Sequence, residues 1–100
     1  MNEISKVSDI TAQDVAGYIR IAELTDDETN TLNNLIRIAK AYITQYTGRT
    51  EAELDNYQDL VIVTLVLCQD MYDNRTLYVD NTNINYVVES ILNLHAVNLL

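Results

Sequence analysis

No proline interrupts this chain of 100 residues, and Gly17 and Gly48 are its only glycines. Strong breakers are the main punctuation of local structure, so their scarcity favours long helices over turn-rich β architectures. A chain of this length, 48% hydrophobic, makes one domain, residues 1–100, able to bury roughly two thirds of the surface that its unfolded form exposes.

Four helical segments follow from spacing. In the first, Ser8 or Asp9 caps "TAQDVAGYIRI", placing Val15, Tyr18 and Ile19 on one face, while Gly17 weakens the helix by about 1 kcal/mol relative to alanine. The second carries the stronger signals. Thr25 and Glu28 have capping-box spacing, and Asp26, Asp27 and Glu28 complement the positive end of the helix dipole. Leu32, Leu35, Ile36, Ala39, Tyr42, Ile43 and Tyr46 then keep one side apolar until Gly48 closes the helix.

The third segment, about residues 56–75, is apolar almost all round between Leu60 and Cys68. Its valines and isoleucine also suit a buried strand, which periodicity cannot distinguish from a buried helix. The pattern continues through Met71 and Tyr72, too far for an ordinary strand, and no second strand is available to pair with it. A helix without a polar face belongs in the middle of the fold. After the polar "DNRTLYVDNTN", the stretch "INYVVESILNLHAVNLL" aligns Tyr86 or Val87, Ser90 or Ile91, and Leu94 along one side. The expected architecture is all-α, a small bundle of about four helices around the central apolar one, with a mobile C-terminal tail over residues 95–100.

Charge and chemistry narrow the function. Six basic residues against fifteen acidic ones give a net charge of −9, which opposes adhesion to a phosphate backbone and leaves a helix-turn-helix without a basic recognition helix. No segment reaches the ~18 to 20 apolar residues of a membrane span, and "MNEISKVSD" lacks the features of a secretory leader, so a protein made and used inside a cell is expected, with no membrane contact. Cys68, the one cysteine, falls within the apolar run and reads as a core residue. His95, the one histidine, has no metal-ligand spacing to a cysteine or carboxylate and reads as an ordinary surface or packing residue. No phosphate loop or nucleophile elbow is present. An enzyme is not expected, nor a cofactor, nor a metal. All seven aromatics are tyrosine, a residue suited to half-buried positions and subunit contacts.

Taken in order, "ITAQDVAGYIRI", an acid-capped helix ending "AKAYITQYTGRT", an apolar helix ending "MYDNR", and "VVESILNLHAVNLL" resemble the head-tail connector, or adaptor, proteins of tailed bacteriophages, also described as DNA-packaging proteins. The likeness covers nearly the whole chain. It departs from the family pattern in lacking a proline before the apolar helix and in ending "HAVNLL" where a Tyr-Arg ending is usual. The resemblance implies a structural ring, typically twelvefold in that family, that docks on the portal protein and meets the next neck or tail-completion protein. DNA would pass through the channel without specific binding. The location implied is the head-tail junction of the virion, after assembly in the bacterial cytoplasm. On this resemblance Arg49, Tyr72 and Arg75 are expected at subunit contacts, and Leu94, Val97, Asn98, Leu99 and Leu100 at the portal. A function of another class, an acidic DNA mimic that inhibits a host nucleic-acid-binding enzyme, suits the same charge.

Overall fold

The computed structural model describes residues 5–80 and 84–97. A 3-10 turn, Val7–Asp9, precedes five α-helices: α1 (Ala12–Ile19), α2 (Asp26–Thr47), α3 (Glu51–Leu54), α4 (Asp59–Asn74) and α5 (Tyr86–His95). The described residues contain no strand. The protein is all-helical.

Helix α1 starts later than Ser8 or Asp9 would place it. Thr11 is the N-cap: its hydroxyl accepts the Asp14 N–H at 3.3 Å, while the Asp14 carboxylate accepts the Thr11 N–H at 2.9 Å. This reciprocal box satisfies two otherwise orphaned donors. Ser8 is occupied elsewhere, donating from its backbone and its hydroxyl to Asp55 at 2.9 and 2.7 Å. The helix buries Ala12, Val15 and Ala16, with Tyr18 left largely in solvent.

Helix α2 begins at Thr25, as its spacing predicts, but the box is half formed. The Thr25 hydroxyl accepts the Glu28 N–H at 3.2 Å, and Glu28 returns only to the Thr25 hydroxyl, at 3.4 Å. Its other oxygen accepts a hydrogen bond from the Tyr72 hydroxyl at 3.3 Å, so a tertiary partner competes for the carboxylate. Leu32, Leu35, Ile36, Ala39 and Ile43 are buried, whereas Tyr42 and Tyr46 are half-buried. Gly48 ends the helix in the left-handed region at φ 73°, and its N–H donates to the Thr44 carbonyl at 2.9 Å. A Cβ added at Gly48 would find only ordinary contact, 3.7 Å from Val97. Gly48→Ala is therefore expected to lose about 1 kcal/mol through backbone conformation alone, read as a drop of roughly 4 to 8 °C in melting temperature.

The sequence reading runs the central helix from about residue 56, whereas the chain makes two helices there. A second reciprocal box, Thr50 with Glu53, starts the single turn of α3, which buries Leu54 completely. The chain then turns through residues 55–58 before α4 begins at Asp59. Helix α4 packs against α1, α2 and α5 and buries Leu60, Val61, Val63, Thr64, Leu65, Leu67, Cys68 and Met71. The buried Thr64 hydroxyl donates to the Leu60 carbonyl one turn back at 2.8 Å, so it carries no unsatisfied group into the core. Enclosure of α4 is incomplete: Ile62 is 52% exposed.

Ser8 and Thr50 hold Asp55 and Glu53 below the usual carboxylate range, in both cases chiefly through a backbone N–H donated to the carboxylate. A carboxyl group whose folded pKa is depressed contributes stability that is present above its unfolded pKa and lost as pH falls through the folded value. The fold should accordingly weaken on acidification through and below the normal carboxylate range. Asp55→Asn is expected to be less stable than the parent at neutral pH and to converge with it in strong acid, as followed by helical circular dichroism. A constant gap across the titration would rule out the charged Asp55 as its cause.

Candidate interaction surface

Three groups of residues stand out, and two of them lie where the helix ends meet. The first joins the end of α5 to the starts of α3 and α4. Arg49 follows directly on Gly48, where a cation could cap its own helix. Instead its Nε donates to the His95 carbonyl at 2.7 Å, capping the C-terminus of α5. The guanidinium lies 4.8 Å above the Tyr57 ring and 3.6 Å from Glu53. The His95 ring packs on Tyr57 with centroids 4.3 Å apart, and its Nε2 lies 2.8 Å from each oxygen of Asp59. An ionised carboxylate only accepts, so Nε2 carries the proton. Of the two roles its sequence context suggests, His95 thus takes packing, with a carboxylate partner that no local spacing reveals.

This clasp extends past the helix. The Val97 N–H donates to the Thr47 carbonyl at 2.7 Å, and the Tyr46 hydroxyl donates to Asn93 at 2.6 Å. Residues 95–97, expected to belong to a mobile tail, are therefore tied to Thr47 of α2, to Arg49 and to Asp59 of α4 by backbone and side-chain bonds. Asn98, Leu99 and Leu100 lie outside the described residues.

The second group is the corner after α4. Tyr72 is half-buried and tied to Glu28, while Arg75 ends the helix in the left-handed region at φ 56°. Its guanidinium lies 5.5 Å from the Tyr72 ring centroid, and no ion pair holds it among the described residues. Leu77 and Tyr78, next along the chain, are exposed.

The third group is the outer face of α5. Asn85 caps this helix by accepting the Val87 N–H at 2.7 Å. Its core contacts are Val88 and Leu92, with Ile91 and His95 half-buried. Of the positions that the spacing aligns, Ile91 packs against the core while Tyr86, Val87, Ser90 and Leu94 turn to solvent; Tyr86 is 82%, Val87 62% and Leu94 74% exposed. Helix α5 is apolar on both sides, and the space between α2 and α4 accepts only one of them. Among the described residues, six of the eight exposed large hydrophobic ones, Leu77, Tyr78, Tyr86, Val87, Leu94 and Val97, belong to the last quarter of the chain.

Compared with protein-family models, with curated proteins and with solved structures, the chain matches none of them.

Other chemistry is limited among the described residues. No group of three metal-capable side chains comes together, and no helix is long and apolar enough to cross a membrane. Burial pushes the Cys68 thiol up to about 12, against a small opposing influence of Lys40, so it stays protonated and inert as a core residue. The clasp partners Tyr57, Asp59 and Asn93 escaped the sequence reading. Their bonds to Arg49, His95 and Tyr46 span 36 to 47 positions or cross between helices, and no motif of short spacing marks them.

Proposed function

We propose that this protein is a structural ring component of a bacteriophage neck, docking on the portal protein and extending the DNA channel between capsid and tail. The reading rests on the ordered resemblance of its four segments to head-tail connectors. The observation that carries it furthest is the concentration of exposed Leu77, Tyr78, Tyr86, Val87, Leu94 and Val97 in the last quarter of a strongly acidic chain. These side chains supply contact area for portal or neighbouring subunits, while negative charge elsewhere discourages DNA from sticking to the channel wall. The acidic-mimic alternative draws less support, because the Asp14, Glu53 and Asp55 carboxylates are taken up by the chain's own backbone N–H groups.

The test is binding to the purified portal protein of the phage that encodes the chain. Portal association with a ring visible in electron micrographs is expected, and Tyr86→Asp with Leu94→Asp should abolish it while leaving the melting temperature within a few degrees of the parent. Tight binding to a host nucleic-acid enzyme together with indifference to portal would favour the alternative. Mutual repulsion between −9 subunits should also keep dilute protein monomeric at low salt, with association strengthening as ionic strength rises. Sedimentation across a salt series checks the sign.

A further inference from the structure

A groove about 360 Å³ in volume runs between the second half of α2 and the first half of α5, lined by Tyr42, Gln45, Tyr46, Val79, Ile84 and Glu89. The Tyr42 and Tyr46 rings lie 5.9 Å apart and tilted by 41°, presenting two aromatic surfaces. Glu89 is exposed at its edge, and no described residue forms a hydrogen bond or ion pair with its carboxylate. Burial first, then Tyr46 and Glu89, hold the Tyr42 hydroxyl above the usual phenol range, and Glu89 is the one charged residue among the described ones lining the groove. Two ring faces beside a free carboxylate are what a guanidinium binds, by cation–π attraction and a charge-assisted hydrogen bond.

The same chain offers a guanidinium of matching availability. Arg75 is exposed, held among the described residues only against Tyr72, and flanked by the exposed Leu77 and Tyr78, which can cover the apolar Val79 and Ile84 side of a groove. It occupies a left-handed position that glycine would fill with less strain. It stands away from its own groove. Its surroundings include Thr31 and Leu35, seven to fifteen residues before Tyr42 and Tyr46, or roughly 10 to 22 Å along the axis of α2.

We propose that Arg75 of one copy lies against the exposed faces of Tyr42 and Tyr46 of the next and pairs with Glu89. The donor and the acceptor are different patches on each subunit, so the contact is head-to-tail, the kind that repeats around a closed ring. In its biological setting this inference rests on the neck-ring reading; the charge complementarity of groove and arginine is independent of it. Arg20, the other arginine at a left-handed position, lacks the neighbouring exposed apolar pair. Arg37 is engaged by Asn34 at 3.0 Å.

Self-association is measured by sedimentation equilibrium at one fixed physiological salt concentration, up to about millimolar protein. Arg75→Glu and Glu89→Arg should each weaken it at least about tenfold, and the double exchange in one chain should return it to within about threefold of the parent. Glu89→Arg decides between mechanisms, because it makes the subunit two charges less negative. If only overall repulsion governs association, it strengthens assembly and the proposal is overturned. Arg75→Gly relieves the left-handed strain, so it should melt no lower than the parent and still fail to assemble; normal assembly of this variant also overturns the contact. So does loss of assembly in Arg20→Glu without loss in Arg75→Glu. A parent that stays monomeric throughout refutes the contact in solution, and portal binding by that same parent shows whether the neck reading survives it.

Discussion

Leu92→Ala is expected to destabilise the protein by about 3 kcal/mol, within the ~2 to 5 kcal/mol typical of buried leucine truncations, whereas Leu94→Ala should change stability by less than about 0.5 kcal/mol. Leu92 is fully buried and Leu94 is 74% exposed, although both are leucines two positions apart on α5. For a domain of this size the first loss corresponds to roughly 12 to 24 °C in melting temperature. Urea or thermal unfolding of the two variants thus reads out the rotation of α5. Similar losses at both positions would mean that the Tyr86, Val87 and Leu94 face is packed rather than available to a partner, and the surface proposed for docking would have to be given up.

Ending the chain after Leu94 should cost about as much, roughly 3 kcal/mol, on the scale of a few hydrogen bonds to charged groups. It removes the His95 ring from Asp59, the carbonyl that Arg49 caps, and the Val97 N–H donated to Thr47. Arg49 and Asp59 would both be left without those partners at a half-buried junction. A chain ending after Val97 keeps every one of these bonds and is the proper reference. If the shorter chain melts with the longer one, the clasp contributes nothing and residues 95–97 are free for docking. If it melts lower, portal binding by the chain ending at Val97 isolates the expected contribution of Asn98, Leu99 and Leu100.

How much of this could be read beforehand differs from element to element. Helix α2 was legible from end to end, because Thr25, the acids of its first turn, the buried positions from Leu32 to Ile43 and Gly48 are all local signals within one helix. The caps at Thr11 and Thr50 were just as local: each is a threonine followed three residues later by a carboxylate that closes the box. Reading Ser8 or Asp9 as the first cap, and running the central helix through residues 56–58, passed over those two signals. The helical state of residues 60–68 was legible through the length of the pattern and the lack of a second strand to pair with it.

Other features could not have been found that way. Glu28 has the right spacing to complete a box with Thr25, yet Tyr72, 44 residues away, draws off one of its oxygens. Arg49 was expected at a helix C-terminus and is found there, but the terminus is that of α5.

By itself the sequence determined that the protein would be helical, roughly where its helices would run, and that its surface would repel phosphate, since capping, chain stiffness and net charge depend on residues near one another or simply on their number. The tertiary structure alone decided which side of α5 would be buried, which carbonyl Arg49 would cap and which carboxylate would meet His95. Those outcomes depend on desolvation and on hydrogen bonds between segments far apart in the chain, and such terms acquire a value only when packing brings the partners together.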